Sequence, residues 1–369
     1  MWQRIWRGWD WTIVICTLLL VAIGISVIGS ATHVNQTGIT AQSMVLRQFL
    51  FFLINAVLVV LMSTFDYRRL KDYSKWIYGI TILLLVAVMA VGTSALGAQR
   101  WIQLGPITLQ PSEFTKFLMI VCMAKMMERK IGKLNSFREV LPTFIYILVP
   151  TTLVFLQPDL GTSLVYMAIY MGLLYIAGIR MKLVRIVLGI GLVLAPFGWF
   201  ALKEYQKQRI LVFLNPNIDP YGSGYHIIQS KIAIGSGLLF GKGLFQGTQS
   251  QLNFLPENHT DFIFSVIGEE LGFVGCMVVL FLMFMLIYRA IRIAYTARDN
   301  FGMLLASGIA TYFTFQIMVN LGMTTGIMPV TGIPLPFISY GVSALTTNML
   351  AVGLLLNISM QRSKYMFND

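Results

Sequence analysis

The sequence predicts an all-α, polytopic membrane protein of ten transmembrane helices, with both termini cytoplasmic and one large extracytoplasmic loop between spans 7 and 8. Apolar residues make up 57% of the 369 residues and charged residues only 11%, whereas a soluble chain carries roughly 25% charged residues. Uncharged stretches recur along the chain, each close to the ~20 residues that a helix needs to cross a bilayer. The segment 300–361 holds no Asp, Glu, Lys, Arg or His, which leaves room for two spans and the loop between them.

The uncharged stretches give the spans in order. The first is too long for a removable signal peptide and lacks a small-residue cleavage pattern, so it is the first transmembrane helix. The fourth is interrupted by Glu113 and Lys116, and it is included because the most basic loop, 125–138, would otherwise face outward. The chain 1–369 is expected to be one membrane domain, with a large outer loop at 202–262 and spans at about 11–30, 48–65, 76–92, 112–127, 140–156, 162–178, 186–201, 263–288, 301–322 and 340–359.

The basic residues lie where a membrane protein carries its cytoplasmic charge. The net charge is +12, from 27 Lys and Arg against 15 Asp and Glu. Most of the basic residues fall in short segments beside the spans, at 4–7, 68–75, 125–138, 180–185, 289–298 and 362–364. The positive-inside rule places all six segments in the cytoplasm, and this pattern argues against binding of nucleic acid.

Ionisable side chains inside a span are costly, and they are candidates for function. Glu113 and Lys116 are three residues apart, so they share a helix face and can pair. Two interpretations stay open: a buried ion pair that fixes helix packing, or the polar lining of a cavity open to the outside, beside Arg100 and Gln110. Asp159, in the motif QPDLGTS, is interpreted as a helix N-cap in a tight outer turn.

The stretch ENHTDFIFSVIGEELGF (257–273) places acids at the start of an apolar helix. A helix that begins just before Asp261 puts Asp261 and Ser265 on one face, followed by small residues further in. Asp261 is then either a functional acid or a charge that favours the positive end of the helix dipole. Glu269 and Glu270 lie two turns deeper, and we expect them to hold partners on neighbouring helices.

Five motifs, in this order along the chain, resemble the SEDS family (shape, elongation, division and sporulation). They are AQRWIQLGPITLQPSEFTK (98–116), QPDLGTS (157–163), GYHIIQSKIAIGSG (224–237), GTQSQLNFLPENHTDFIFSVIGEELG (247–272) and PLPFISYGVSAL (334–345). Together they span nearly the whole chain, and ten spans fit the topology of the family. One departure is SYGVS, where Val342 stands in place of the second glycine that the family usually has.

The resemblance implies a peptidoglycan glycosyltransferase, which polymerises lipid II into glycan strands on the outer face of the cytoplasmic (inner) membrane during elongation and maintenance of rod shape. It also implies that Asp261 matches the essential aspartate of the family. The implied partners are lipid II, a class B penicillin-binding protein (a PBP2-type transpeptidase), the MreC- and MreD-type proteins of the elongation complex, and membrane lipid.

One acid can suffice for this reaction, because the diphosphate leaves as an anion and, unlike the leaving group of a glycoside hydrolase, needs no protonation. Asp261 would be the general base that takes the proton of the acceptor hydroxyl. The departing charge needs cations, with a divalent cation (Mg²⁺ or Mn²⁺) left open as cofactor and the metal ligands unassigned. The candidate substrate-binding residues are Arg100, Glu113, Lys116, Arg209, Gln229, Lys231, Lys242, His259, Ser265 and Ser339.

Two alternatives remain at this point. A flippase that moves lipid II across the membrane would also have polar groups inside its bundle, although such groups should be reachable from both sides, and here they concentrate in the outer half. A non-catalytic scaffold of the elongation complex would recruit the penicillin-binding protein without chemistry, and replacement of Asp261 by Asn would leave it functional.

Overall fold

The computed structural model describes residues 8–33, 39–95, 98–105, 107–186, 204–220, 222–252 and 254–361, together with residues 189, 193 and 200. These residues form a mostly helical bundle with a small sheet. Seven of the described helices are long and apolar enough to cross a membrane. The predicted helical, multi-pass architecture is therefore confirmed at this level.

The described helices follow the chain in a simple order. They are α1 (Trp11–Thr32), α2 (Ile39–Thr64), α3 (Leu70–Val91), α4 (Pro111–Glu128), α5 (Phe137–Leu156), α6 (Leu160–Ile176), α7 (Glu204–Leu214), α8 (Ser223–Ser236), α9 (Thr248–Gln251), α10 (Ile263–Tyr295), α11 (Asn300–Thr325) and α12 (Val342–Met360). Short 3-10 turns lie at Tyr67–Arg69 and Pro216–Ile218.

Nine of the ten predicted spans coincide with described helices, and the seventh, 186–201, lies almost wholly outside the described residues. α4 carries the charges that weakened its hydropathy, and α6 has 17 residues, so neither is among the seven long apolar helices. Several ends differ from the prediction: α3 begins at Leu70 rather than 76, and α10 continues to Tyr295 rather than 288. A span predicted from hydropathy ends at the first charged residues, whereas the backbone hydrogen bonds of the helix continue past the apolar segment.

The core lies around α11 and α12. In the most apolar 18 residues of these helices, 72% and 83% are buried, against 17% in α2. α2 and α12 run side by side in the same direction, since Asn55 contacts Thr346 (3.1 Å) and Asn357 donates to the carbonyl of Met62 (2.6 Å). Glycine makes this approach possible, because a Cβ at Gly353 would lie 2.9 Å from Cβ of Met62.

The polar contacts divide the bundle into two ends. Arg289, late in α10, pairs with buried Asp10 before α1, whereas Ser30, late in α1, donates to Glu270 (2.6 Å), early in α10. α1 and α10 are therefore antiparallel. We call the two ends of the bundle the Asp10 end and the Asp261 end.

The all-α prediction is wrong in one place. The segment between α3 and α4 forms a three-stranded antiparallel sheet in the order β1 (Thr93–Ala95), β2 (Ala98–Leu104) and β3 (Ile107–Leu109). β2 and β3 form a hairpin, in which Ile102 faces Leu109 and Leu104 faces Ile107. Its turn uses Gly105 at a φ of 62°, a conformation that favours glycine. The hairpin places Arg100 at the Asp261 end.

α10 is interrupted within the predicted span of 263–288. Gly272 has φ 65° and ψ −163°, which breaks the helix. A loop crosses the break and replaces the lost bonds: the amides of Phe273 and Val274 donate to Leu238 and Leu239 (2.9 and 3.1 Å), instead of to the carbonyls four residues earlier. Those two carbonyls, of residues 269 and 270, accept from the amides of residues 242 and 243 at 3.0 and 2.9 Å. The loop is thus part of the hydrogen bonding of α10.

Candidate active site

Asp261 lies in a turn just before α10. The helix begins at Ile263, so the expectation that Asp261 sits inside its first turn is wrong. The turn is closed by a hydrogen bond from the amide of Phe262 to the carbonyl of Glu257 (3.2 Å), and Glu257 itself has a φ of 51°. The side chain of Asp261 is therefore presented by an irregular turn at the mouth of the bundle.

The segment between α11 and α12 holds this turn from the other side. The hydroxyl of Ser339 donates to the carbonyl of Thr260 (2.6 Å), and the amide of Tyr340 donates to the carbonyl of His259 (2.9 Å). Gly332, at a φ of 72°, lies against the carboxylate: a Cβ there would be 3.2 Å from Oδ2 of Asp261. These contacts confine both the backbone and the carboxylate.

The surroundings of Asp261 raise the pKa of its carboxyl from 3.8 to about 7. Burial is the largest cause, and the negative charges of Glu257 and Asp159 act in the same direction. The positive charges of Arg209 and Arg100 oppose the rise. Asp261 still keeps some accessible surface, so it is a poorly solvated acid that ligands can reach. A carboxyl with this pKa exchanges a proton near neutral pH, which suits a general base.

Arg100 is clamped on one side of this acid. Its guanidinium donates from Nε to the carbonyl of Gln157 (3.1 Å) and from Nη2 to the carbonyl of Pro158, and Nη1 lies 3.8 Å from Asp159. Asp159 also caps α6, accepting from the amide of Thr162 at 3.1 Å, which confirms the predicted N-cap. The sequence motif thus serves two purposes, and the second, holding Arg100, was not predicted.

The Glu113–Lys116 pair is buried beneath the site. Lys116 Nζ lies 2.6 Å from Glu113 Oε1, and the two residues are 1% and 4% exposed. The ammonium also faces the ring of Tyr312 at 5.7 Å. This geometry fits the interpretation of a buried pair that fixes α4 against α11, rather than the lining of an open cavity.

Several other candidates hold the scaffold together. Ser265 is fully buried and its hydroxyl contacts Ser230 (2.6 Å), which joins α10 to α8. Ser339 both donates to Thr260 and accepts from the amide of Leu335 (2.8 Å), so its hydroxyl is occupied. Neither geometry supports a direct contact with substrate.

Lys242 is also committed. Its ammonium lies 2.8 Å from Glu269 Oε1, whose residue is 0% exposed. The same carboxylate accepts from the backbone amides of Gln249 and Ser250 at 2.9 and 3.2 Å. Glu269 therefore holds the loop, and Glu270 holds α1 through Ser30 at 2.6 Å. The expected contact with a neighbouring helix is confirmed for Glu270, which binds α1, and for Glu269, which binds the short helix α9 in addition to Lys242.

The remaining candidates surround the site more loosely. Arg209, in α7, is close enough for its charge to act on Asp261. Lys231 is exposed and lies against Gly326, the residue that ends α11. Gln229 is half-buried in α8. Burial lowers the pKa of the His259 imidazole, and its Nδ1 lies 3.3 Å from Oδ1 of Asn258.

Sequence reasoning missed two neighbours of Asp261. Glu257 acts on its pKa but was not singled out, although it lies in the same motif. Asn320, in α11, donates from Nδ2 to the carbonyl of Asp261, and no pattern in the sequence linked two residues so far apart. Across the residues that the structure describes, no group of three or more His, Cys, Asp and Glu forms a metal site.

Comparison with known proteins decides the family. The sequence profile of the FtsW/RodA/SpoVE family, described as cell cycle protein, matches residues 10–364. The chain belongs to this family. It is 40% identical over 355 residues to the peptidoglycan glycosyltransferase MrdB of Escherichia coli (strain K12), covering 96% of this chain and 95% of the relative. It is 39% identical over 361 residues to the stage V sporulation protein E of Bacillus subtilis (strain 168), covering 95% and 96%. The resemblance to the SEDS family is thereby confirmed.

Two solved structures share the fold of this family member. The rod shape determining protein RodA of Thermus thermophilus matches with a TM-score of 0.72 at 30% identity, over 97% of this chain and 99% of that chain. The second structure matches with a TM-score of 0.82 at 33% identity, over 96% of this chain and 99% of that chain. It is described as "Structural coordination of polymerization and crosslinking by a peptidoglycan synthase complex". Both likenesses extend over almost the entire bundle.

Proposed function

We propose that this chain is a peptidoglycan glycosyltransferase that polymerises lipid II during cell elongation, with Asp261 as its general base. The observation that carries the proposal is the carboxyl of Asp261 in the turn held by Ser339 and Tyr340, where burial raises its pKa to about 7 although the charges of Arg209 and Arg100 oppose the rise. The names of the MrdB relatives support the same activity. A base needs a pKa near the working pH, and cations beside it suit an anionic substrate.

The reaction is an inverting displacement at the anomeric carbon of the lipid-linked donor. Asp261 accepts the proton of the acceptor hydroxyl, whose oxygen forms the new glycosidic bond. The bond between the anomeric carbon and the phosphate oxygen breaks, and the lipid diphosphate leaves with the electron pair as an anion. A positioned base typically contributes about 10²–10⁴-fold to such a rate.

Arg100 and Arg209 are the cations that we assign to the diphosphate. Arg100 is held rigidly by backbone carbonyls, and a guanidinium can bind phosphate oxygens in pairs. Lys116 and Lys242 lie 2.6 and 2.8 Å from buried carboxylates and belong to the scaffold in this proposal, whereas the contact of Arg100 with Asp159 is longer, at 3.8 Å. Lys231 and His259 lie further out as contacts for the sugar or peptide. A bound Mg²⁺ or Mn²⁺ would supply additional positive charge to the leaving group.

The proposed topology has ten spans in the cytoplasmic membrane, with the Asp261 end outside and the Asp10 end in the cytoplasm. The distribution of basic residues supports this orientation, because the cationic segments lie at the Asp10 end and basic loops stay in the cytoplasm. The loop 202–262 then lies outside, where glycan strands form. The implied protein partners are a class B penicillin-binding protein and the MreC- and MreD-type proteins; the neighbour from a peptidoglycan synthase complex supports the first of these.

The test uses purified chain in detergent, where two compartments do not exist and transport has no readout. Lipid II and Mg²⁺ or Mn²⁺ are added, with and without a class B penicillin-binding protein whose transpeptidase is inactivated, and products are separated on a gel. We expect glycan ladders from the wild type and none from Asp261→Asn. Glu204→Gln is the matched control, since Glu204 is an acid of the same loop with a 90% exposed side chain.

Ladders from Asp261→Asn at the wild-type rate would overturn the assigned base. An absence of polymer from every variant, with partner present and lipid intact, would overturn the activity, and lipid II transport in vesicles would then test the flippase. Normal rod growth of cells that carry only Asp261→Asn would indicate a scaffold.

A further inference from the structure

The Asp10 end of the bundle carries a second ordered surface, formed by the turn that follows α4 and by the turn and short helical segment (181–186) that follow α6. The amide of Gly132 donates to the carbonyl of Ala177 (3.0 Å), and the amide of Arg180 donates to the carbonyl of Leu134 (3.2 Å). The side chain of Leu134 is 0% exposed. The two turns are thus fixed to each other as one surface, which we call the cationic platform (129–138 and 177–186).

The platform carries unbalanced positive charge. Its exposed cations are Arg129, Lys133, Arg138, Arg180, Lys182 and Arg185. In the described part of the chain, none of these six forms an ion pair. The acids at its edges have other partners. Glu128 pairs with Lys71 and Lys125, and Glu139 caps a helix and accepts from the amides of Asn135 and Ser136 at 2.9 and 3.0 Å.

Exposed apolar side chains stand among these cations. Phe137 is 57% exposed, and Met181 and Ile186 are 48% and 47% exposed. A soluble acidic protein needs only positive charge on the surface that binds it. A lipid at the boundary between headgroups and acyl chains also contacts apolar side chains beside arginine and lysine. The combination therefore favours a lipid over an acidic polypeptide.

We propose that the cationic platform binds anionic phospholipids of the inner leaflet. Their phosphates lie on the arginine and lysine side chains, and their acyl chains lie against Phe137, Met181 and Ile186. The orientation of this surface rests on the topology given under Proposed function, and the binding itself is independent of glycosyl transfer. Both segments contribute cations, and cardiolipin, an anionic lipid with two phosphates, is the probe.

The chain supplies a matched control at the same end of the bundle. Arg292, near the end of α10, and Arg298, in the turn after it, are also exposed, but they lie on neither platform turn. The test variant is Arg180→Gln with Lys182→Gln, and the control is Arg292→Gln with Arg298→Gln. Each variant removes two positive charges from the cytoplasmic side, so an effect of net charge alone would be equal in both.

Purified full-length chain in neutral detergent is titrated with cardiolipin, and bound lipid is counted by native mass spectrometry. Each cation near a headgroup contributes roughly fivefold to affinity, so the test variant should need at least about tenfold more cardiolipin for half-saturation. The control should stay within about twofold of the wild type. If the test variant fails to fold, Lys133→Gln with Arg138→Gln makes the same prediction on the other turn.

Three outcomes would overturn the proposal. Phosphatidylcholine could bind as tightly as cardiolipin, or the control could lose as much affinity as the test variant. Soluble poly-glutamate could displace cardiolipin from the wild type and fail to bind the test variant, which would assign the platform to an acidic polypeptide.

Discussion

Asn320 joins the turn of Asp261 to the segment before α12. Its Nδ2 donates to the carbonyl of Asp261 at 3.0 Å and to the carbonyl of Ile333 at 2.8 Å, and the residue is 0% exposed. The side chain of Asn320 thereby positions two segments: the backbone of Asp261 and the segment next to Gly332. The carboxylate of Asp261 lies against Gly332.

Replacement of this side chain should therefore affect activity more than stability alone explains. Asn320→Leu leaves two buried carbonyls without their donor, which costs about 1–3 kcal/mol for each group left unsatisfied. We expect a large fall in kcat for glycan synthesis by the protein that remains folded. Asn357→Leu is the control, because Asn357 donates to the carbonyls of Met62 and Phe65 far from Asp261. Equal loss of kcat in both variants would contradict the positioning role.

The rate of polymerisation should depend on pH through Asp261. A base must be deprotonated to act, so kcat/KM should rise with pH, reach half its maximum near pH 7, and level off above. Glu257→Gln removes a negative charge that raises the pKa of Asp261, so the midpoint should move to lower pH. An initial-rate profile from pH 5.5 to 8.5 checks both statements. A midpoint that stays in place in Glu257→Gln would argue against the electrostatic account.

The same raised pKa predicts a cost in stability. The folded chain binds the proton of Asp261 more tightly than the unfolded chain, so the free energy of unfolding falls as pH rises from about 4 to about 7. Asp261→Asn removes this cost. At pH 8 its free energy of unfolding should exceed that of wild type by a few kcal/mol at most, and its Tm should be higher. The difference in Tm should shrink at pH 5. A variant no more stable than wild type at pH 8 would show that burial of the charge is inexpensive.

Arg100 should tolerate no other cation. Lysine keeps the charge but cannot donate to the carbonyls of Gln157 and Pro158 while also facing Asp159, because its ammonium is a single point. We expect Arg100→Lys to lower kcat/KM by at least about tenfold, with folding unchanged. Lys207→Arg, in α7 on the same side, is a control that should leave the rate near wild type. Full activity of Arg100→Lys would mean that only the charge matters.

The break in α10 should require glycine on the loop that crosses it. Gly241 has a φ of 77°, and a Cβ there would overlap the carbonyl of Glu270. Gly241→Ala should destabilise the protein by about 1–3 kcal/mol. Gly235→Ala, in α8, meets nothing within 4 Å and should stabilise by about 0.5–1 kcal/mol. Thermal unfolding of the two variants in detergent gives the comparison, and equal shifts would exclude a role for the crossing.

Sequence reasoning succeeded where the signal is local. The apolar stretches located eight helices and the distribution of basic residues located a ninth, α4. The spacing of Glu113 and Lys116 predicted their pair, and QPDLGTS predicted the cap at Asp159. Each of these features depends on residues that are close together in the sequence.

The errors arise where distant segments decide the outcome. The break at Gly272 is satisfied by hydrogen bonds from a loop about 30 residues earlier, and the sequence of α10 does not indicate which segment supplies them. Lys242 was a candidate for binding the diphosphate, but its ammonium pairs with the carboxylate of Glu269, which is distant in the sequence. The strands of the hairpin at 98–109 are too short to stand out from an ordinary loop. Charge assignments in particular depend on tertiary pairing.

The exchange of hydrogen bonds at Gly272 also bears on biogenesis. Lipid offers no partners for the freed amides and carbonyls of α10, so an unpaired break at that depth would be costly to insert. The loop that pairs with the break precedes α10 in the chain and is synthesised before it. α10 can therefore mature in the membrane only as a unit with this loop, and a defect in the loop becomes a defect of insertion as well as of catalysis.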